Sequence, residues 1–246
     1  MEIQIATHKI DLPELPDSTT NALPVAAFWA AADAANRFHS ESVRIGEDPF
    51  LSDAGKAAKI LPLADQLIRQ MLVSTENIIN DSAHWNSREA ALLDVGAPTS
   101  QNEIDRDREI RSWWRSAAPE VRERVMRDVE AGPDHGELVR AILRSPIPDV
   151  ADLEKKHFRS MHNQIRRLDN PNEAVAIETG RHAHEWAQRG MGHVTGIIKN
   201  ITGKSTESIC RAAILAGHEK AANQIFGTTA VAHARAAIAA DQRRVA

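Results

Sequence analysis

The stretch of this chain richest in residues able to do chemistry is RHAHEWAQRGMGH, residues 181–193, with three histidines and one glutamate in thirteen positions. Imidazole nitrogens and carboxylate oxygens hold transition metals, and the same groups relay protons. On a helix, which advances by about 100° per residue, Glu178, His182 and Glu185 stand at i, i+4 and i+7 and share one stripe. That is the placement of ligands in helical carboxylate metal sites. A di-iron centre, however, needs Glu-x-x-His on two helices and further glutamates from two others. Here the order is His-x-x-Glu with no second copy, and there is no HExxH. The expectation is therefore a solvated face on which Glu185 and Arg189 form an i,i+4 ion pair, with Glu178, His182 and Glu185 kept only as a minor metal alternative. His184 lies at the edge of the apolar face and is expected to hydrogen-bond a backbone carbonyl. No catalytic residue and no cofactor is assigned.

Three other segments carry reactive residue types. Gly203-Lys204-Ser205 matches the end of a phosphate-binding loop, but the position five residues before Gly203 is Ile198 where the motif needs glycine. It reads as an interhelical loop with Ser205 and Ser208 competing as caps. Cys210, inside ESICRAAIL, reads as a small core residue. RDREIRSWWRS interleaves arginines with Trp113 and Trp114, the residue types that contact phosphates and stack on bases. Asp105, Asp107 and Glu109 offset that positive charge. One tryptophan in the core and the other at a helix-helix or subunit interface is the preferred reading, and an interfacial Trp-Arg pair is also what protein-binding hot spots favour. Arg111, Arg115, Trp113 and Trp114 are the expected contacts. HFRSMHNQIRRLDN, with His157, His162, Arg159, Arg166 and Arg167, reads as a salt-bridged surface.

The elements that must position these residues are helical. Residues 1–10 alternate in polarity, with Ile3 and Ile5 on one side, and predict a short strand with no second strand to receive it. Such a strand either stays frayed or adds to a sheet in another chain, which makes Ile3 and Ile5 candidate interface residues. DLPELPDSTTNALP is an extended linker, and Phe28, Trp29, Ala32, Ala35, Phe38 and Val43 mark a helical core stripe from Val25 to about Ile45. A helix capped at Ser52 is expected to break or kink near Pro62. Ser100 with Glu103 has capping-box spacing, and three short helices follow, punctuated by Pro119 and by Gly132-Pro133. Helices over about 150–168 and from Pro171 toward Asn200 come next, the latter with glycines able to break it, and an Ala-rich helix lies at the end. The fold class is all-α, an irregular multi-helix bundle with a short, extended N-terminal arm. Residues 1–22 form the arm and linker, and 23–246 form the helical domain with a sub-boundary near 95–100.

Composition bounds the function. The 34 acidic and 30 basic residues are interspersed, so the concentrated basic footprint of a dedicated nucleic-acid binder is missing. One cysteine excludes an intrachain disulfide and a Cys-rich zinc cluster. The absence of tyrosine weighs against a pocket that stacks and hydrogen-bonds through phenols. Residues 1–16 lack the basic and apolar regions of a secretory signal, and no apolar run reaches membrane-spanning length.

DPFLSDAGKAAKI and REIRSWWRSAAPEVRERVMRDVEAGPDHGELVRAILRSP resemble uncharacterised helical proteins of tailed bacteriophages, encoded near capsid and head-assembly genes. The similar features are Asp-Pro before a capped Ser-x-x-Gly-Lys helix, an EIR helix, a Pro-started Arg-rich helix and an AIL-SP helix. The resemblance implies a virion or assembly role, in the particle or the bacterial host cytoplasm, and supplies no catalytic residues. The function expected is that of a non-enzymatic structural protein that contacts other subunits of a homo- or hetero-oligomer. A DNA-associated or regulatory helical protein using the arginine-rich segments and a helical metalloenzyme are the alternatives.

Overall fold

The computed structural model describes residues 1–15, 19, 22–92, 95–131, 135–145, 160–162, 164–165 and 170–245. The chain is all-α, and its one sheet among those residues is a two-stranded hairpin. The hairpin strands are β1 (Glu2–Ile5) and β2 (His8–Asp11); the first helices are α1 (Leu23–Gly46), α2 (Asp53–Leu92), α3 (Gln101–Ser116), α4 (Pro119–Ala131) and α5 (Gly136–Leu143). They are followed by α6 (Pro171–Thr202), α7 (Thr206–Leu215), α8 (Glu219–Phe226) and α9 (Thr228–Val245). The chain divides into two compact units, Met1–His84 with Thr179–Ala246, and Trp85–Glu178. Neither boundary falls at 22 or at 95–100, where the sequence placed them.

In the first unit the expected arm is a closed hairpin. β1 pairs antiparallel with β2, Ile3 opposite Ile10 and Ile5 opposite His8. The period of two puts Ile3, Ile5 and Ile10 on one face, and that face is buried in the core with Leu12. Ile3 and Ile5 are thus not free to reach a neighbouring subunit, because the chain's own second strand and helices cover them. The two-residue turn places Ala6 at φ 52°, in the left-handed region. The Ala6 N–H donates to Asn36 Oδ1 at 2.6 Å, which offsets part of the roughly 1–2 kcal/mol that a Cβ-bearing residue loses there.

α1 carries Pro24 in its first turn, where its missing N–H would have had no intrahelical acceptor. Phe28, Ala32, Ala35 and Phe38 are buried as the spacing predicts, whereas Trp29 and Val43 are 37% and 42% exposed. Trp29 sits one residue around the helix from Phe28 and packs edge-on against its ring, centroids 5.0 Å apart. Ser52 Oγ accepts from the Gly55 N–H and caps α2, which then runs through Pro62 without interruption. Both Pro62 and Ala58, whose carbonyl loses its usual donor, are exposed, so that carbonyl is open to solvent.

The glycines of α6 do not break it. A Cβ on Gly190 would lie 2.6 Å from Phe28 Cε2 and 3.1 Å from Leu12 Cδ1, so this position lets the helix backbone lie against the α1 aromatic. Trp186, 4% exposed, meets Phe28 edge-on at 4.9 Å, and its indole N–H donates to the Pro13 carbonyl at 2.9 Å. Ile177, Ala183, Ala187 and Met191 are buried on the same helix, while Val175 is 63% exposed. Cys210 is wholly buried, and burial pushes its thiol pKa up, as expected of a core residue.

The second unit has its own core, where Trp114 packs with Val125, Met126, Val139, Met161 and Ile165. Ser100 caps α3 by accepting from the Glu103 N–H at 3.3 Å, and the Glu103 carboxylate accepts from the Thr99 N–H at 2.7 Å. These bonds hold the Glu103 carboxyl below its usual range. Of the helix expected over 150–168, only 160–162 and 164–165 lie among the described residues, and they are helical. No helix among the described residues is long and apolar enough to cross a membrane.

Candidate functional site

The arginine-tryptophan segment separates into an inward and an outward half. Trp114 is 2% exposed and Trp113, about 100° further round α3, is 45% exposed. Arg111 Nη1 donates to the Ala141 carbonyl in the last turns of α5 at 2.9 Å, where a cation also meets the negative end of the helix. Asp107, 6% exposed, stands 3.9 Å from Arg111 and 3.5 Å from Arg144. Arg144 in turn donates to the Gly96 carbonyl at 3.0 Å. Trp114 and Arg111, expected at an interface, are therefore internal fasteners of the second unit. Trp113 and Arg115 remain on the surface. Arg106 and Arg108 pair with Glu137 and Asp105, so little of the segment's positive charge is unopposed.

On α6, Glu178, His182 and Glu185 are all exposed, and Ala183 and Trp186 are buried. Among the described residues no three His, Cys, Asp or Glu side chains come together as a metal-binding group. Lys204, the lysine of the partial phosphate-loop match, lies 3.1 Å from Asp65, and Ser205 is the cap of α7, accepting from the Ser208 N–H at 3.1 Å.

The stripe one step around α6 behaves differently. His184, Gln188, Met191, Gly192 and Thr195 follow one another at helical spacing and line a cavity of about 440 Å³ in the first unit. Thr75, Ile78, Ile79 and Ser82 of α2, at i, i+3, i+4 and i+7, form the facing wall, and Gln224 and Ile225 of α8 close a third side. Thr75, Ile78, Met191 and Thr195 are buried at the floor, while Gln188, Gly192 and Gln224 are exposed at the rim. The Thr75 hydroxyl donates to the Met71 carbonyl at 2.9 Å. Thr195 Oγ1 and His184 Nδ1 are buried atoms with no hydrogen-bond partner among the described residues. His184 Nδ1 thus lacks the backbone carbonyl expected for it. Leaving such a group unpaired costs about 1–3 kcal/mol, so buried polar atoms normally pair with protein, water or a ligand.

No family model, no curated protein and no solved structure matches this chain.

The cavity has no counterpart among the motifs read from the sequence. Its residues come from three helices far apart in the chain, and each stripe alone looks like an ordinary half-buried helix face. The signal available was the interruption of apolar periodicity on α6 by the polar side chains of His184, Gln188 and Thr195, which run from the exposed rim at Gln188 to the buried Thr195. His157, Arg159, Arg166 and Arg167 lie outside the described residues. His162 is described, and burial lowers its pKa.

Proposed function

We propose that this chain is a structural or assembly protein acting through protein contacts, with the tailed-bacteriophage particle, to which its sequence resemblance points, as the setting. The observation that carries the reading is Phe50. Its ring is 95% exposed at the tip of the turn between α1 and α2. The turn is pinned on both sides. The Phe50 N–H donates to Asp48 Oδ1 at 2.9 Å, and Lys56 Nζ donates to the Gly46 carbonyl at 2.7 Å. A tethered turn that holds an aromatic ring in water loses little further entropy when a partner covers it. Burial of such a ring contributes about 1.5–3 kcal/mol, the scale of an interface anchor. Trp113 and Arg115 on α3 supply a second exposed aromatic together with an exposed arginine, residue types enriched at interfaces.

The test is gradient sedimentation of the chain produced in its native setting, with co-sedimenting proteins identified by mass spectrometry. Wild type is expected in a high-mass assembly with phage structural proteins, and Phe50→Asp in the free fractions. Free sedimentation of the wild type ends the assembly reading, and co-sedimentation of Phe50→Asp with the assembly removes Phe50 from it.

A further inference from the structure

We propose that the cavity between α2, α6 and α8 is a binding site for a small uncharged molecule with an apolar body and a hydrogen-bonding edge. Its volume of about 440 Å³ falls within the roughly 300–1,000 Å³ of small-molecule pockets. The walls define the chemistry. Ile78, Ile79, Met191 and Ile225 give it an apolar lining, and among the described residues no lysine, arginine, aspartate or glutamate lines it. A charged ligand would leave water without a counter-charge, which is strongly unfavourable, whereas a neutral one would not.

The polar groups present are those that both donate and accept. Thr195 is 6% exposed, lines the cavity, and its hydroxyl has no partner among the described residues. His184 Nδ1 is in the same condition, and an imidazole nitrogen serves as donor or acceptor according to tautomer. The amides of Gln188 and Gln224 at the rim offer one acceptor and two donors each. The ligand that satisfies these groups carries both a donor and an acceptor, as a primary amide or a lactam does. Gly192 leaves the way in open, because a Cβ there would meet nothing within 4 Å.

Benzamide and its charged isosteres benzoate and benzamidinium test the assignment, titrated into the full-length ¹⁵N-labelled chain. Benzamide is expected to shift the amide signals of Gln188, Gly192 and Thr195, with the two ions at least about tenfold weaker. Thr195→Val is expected to weaken benzamide by about three- to tenfold, the loss of one hydrogen bond. Gly192→Leu fills the entrance from an exposed position where leucine suits the helix, so it keeps the fold, checked by circular dichroism, and abolishes the shifts. The proposal is overturned by no shifts up to the solubility of benzamide, by equal binding of the ions, by undiminished affinity in Thr195→Val, or by shifts that persist in Gly192→Leu.

Discussion

Gly190 and Gly196 lie on one helix, six residues apart, and differ only in what surrounds them. At Gly190 a methyl group would meet the Phe28 ring at 2.6 Å, and Phe28 is itself wedged between Trp29 and Trp186. Gly190→Ala should therefore destabilise the chain by about 1–3 kcal/mol, the range for overpacking a close-packed core. At Gly196 nothing lies within 4 Å, so Gly196→Ala adds helix propensity without a clash and should stabilise by about 0.5–1 kcal/mol. Urea unfolding of both variants checks the pair, and shifts of the same sign would refute the packing argument. Sequence alone treats the two glycines as equivalent helix breakers, because the neighbour that distinguishes them, Phe28, is more than 160 residues away in the chain. The division of residues 181–193 into a buried Ala183 and Trp186 and an exposed His182 and Glu185, by contrast, was legible, since it depends only on the turn angle of one helix.

At the scale of elements, caps and periodicity carry most of the information, and the α3 cap offers a pH-dependent test. The Glu103 carboxyl is held below its ordinary value of 4.5, first by the Thr99 N–H and then by the Thr99 hydroxyl. A carboxyl depressed in the folded state contributes stability that is full above the unfolded value and is lost as pH falls through the lowered folded value. Wild type should therefore melt above Glu103→Gln at pH 7, and the gap should close as pH drops below about 4.5. Thermal unfolding of the two chains across that range measures it, and a gap that widens in acid would contradict the sign. The cap was readable because Ser100 and Glu103 interact across three residues. The hairpin was not, for local reasons. β2 reads HKID, with one aliphatic residue in four, and the turn uses Ala6 at positive φ where asparagine or glycine would have signalled it. What stabilises that turn is Asn36, thirty residues on.

At the scale of the whole molecule, the two cores are separate in composition. The buried cluster containing Phe28, Met71, Trp186 and Cys210 draws entirely on the first unit, and the cluster around Trp114 entirely on the second. The second unit is one continuous stretch, Trp85–Glu178, whereas the first is assembled from two. Sequence gave no sign of this, because a boundary inside α2 or α6 leaves no proline-rich linker or composition shift to see. A continuous stretch with its own apolar cluster meets the basic requirement for independent folding. It also has its own internal ties, since Arg88 grips Glu173 through two bonds of 2.6 and 2.5 Å, and Arg111 holds the end of α5. The fragment 85–178 should then unfold cooperatively in urea when made alone. The chain has no tyrosine, and the fragment contains Trp85, Trp113 and Trp114, so its fluorescence reports on that core directly. Blue-shifted emission that moves to the red in a single transition is expected, and Trp114→Phe should remove most of the blue-shifted component, because Trp113 is 45% exposed while Trp114 is enclosed. A fragment whose emission is red-shifted without denaturant, and whose helical signal declines gradually with no transition, would show that this core depends on the rest of the chain for its folding.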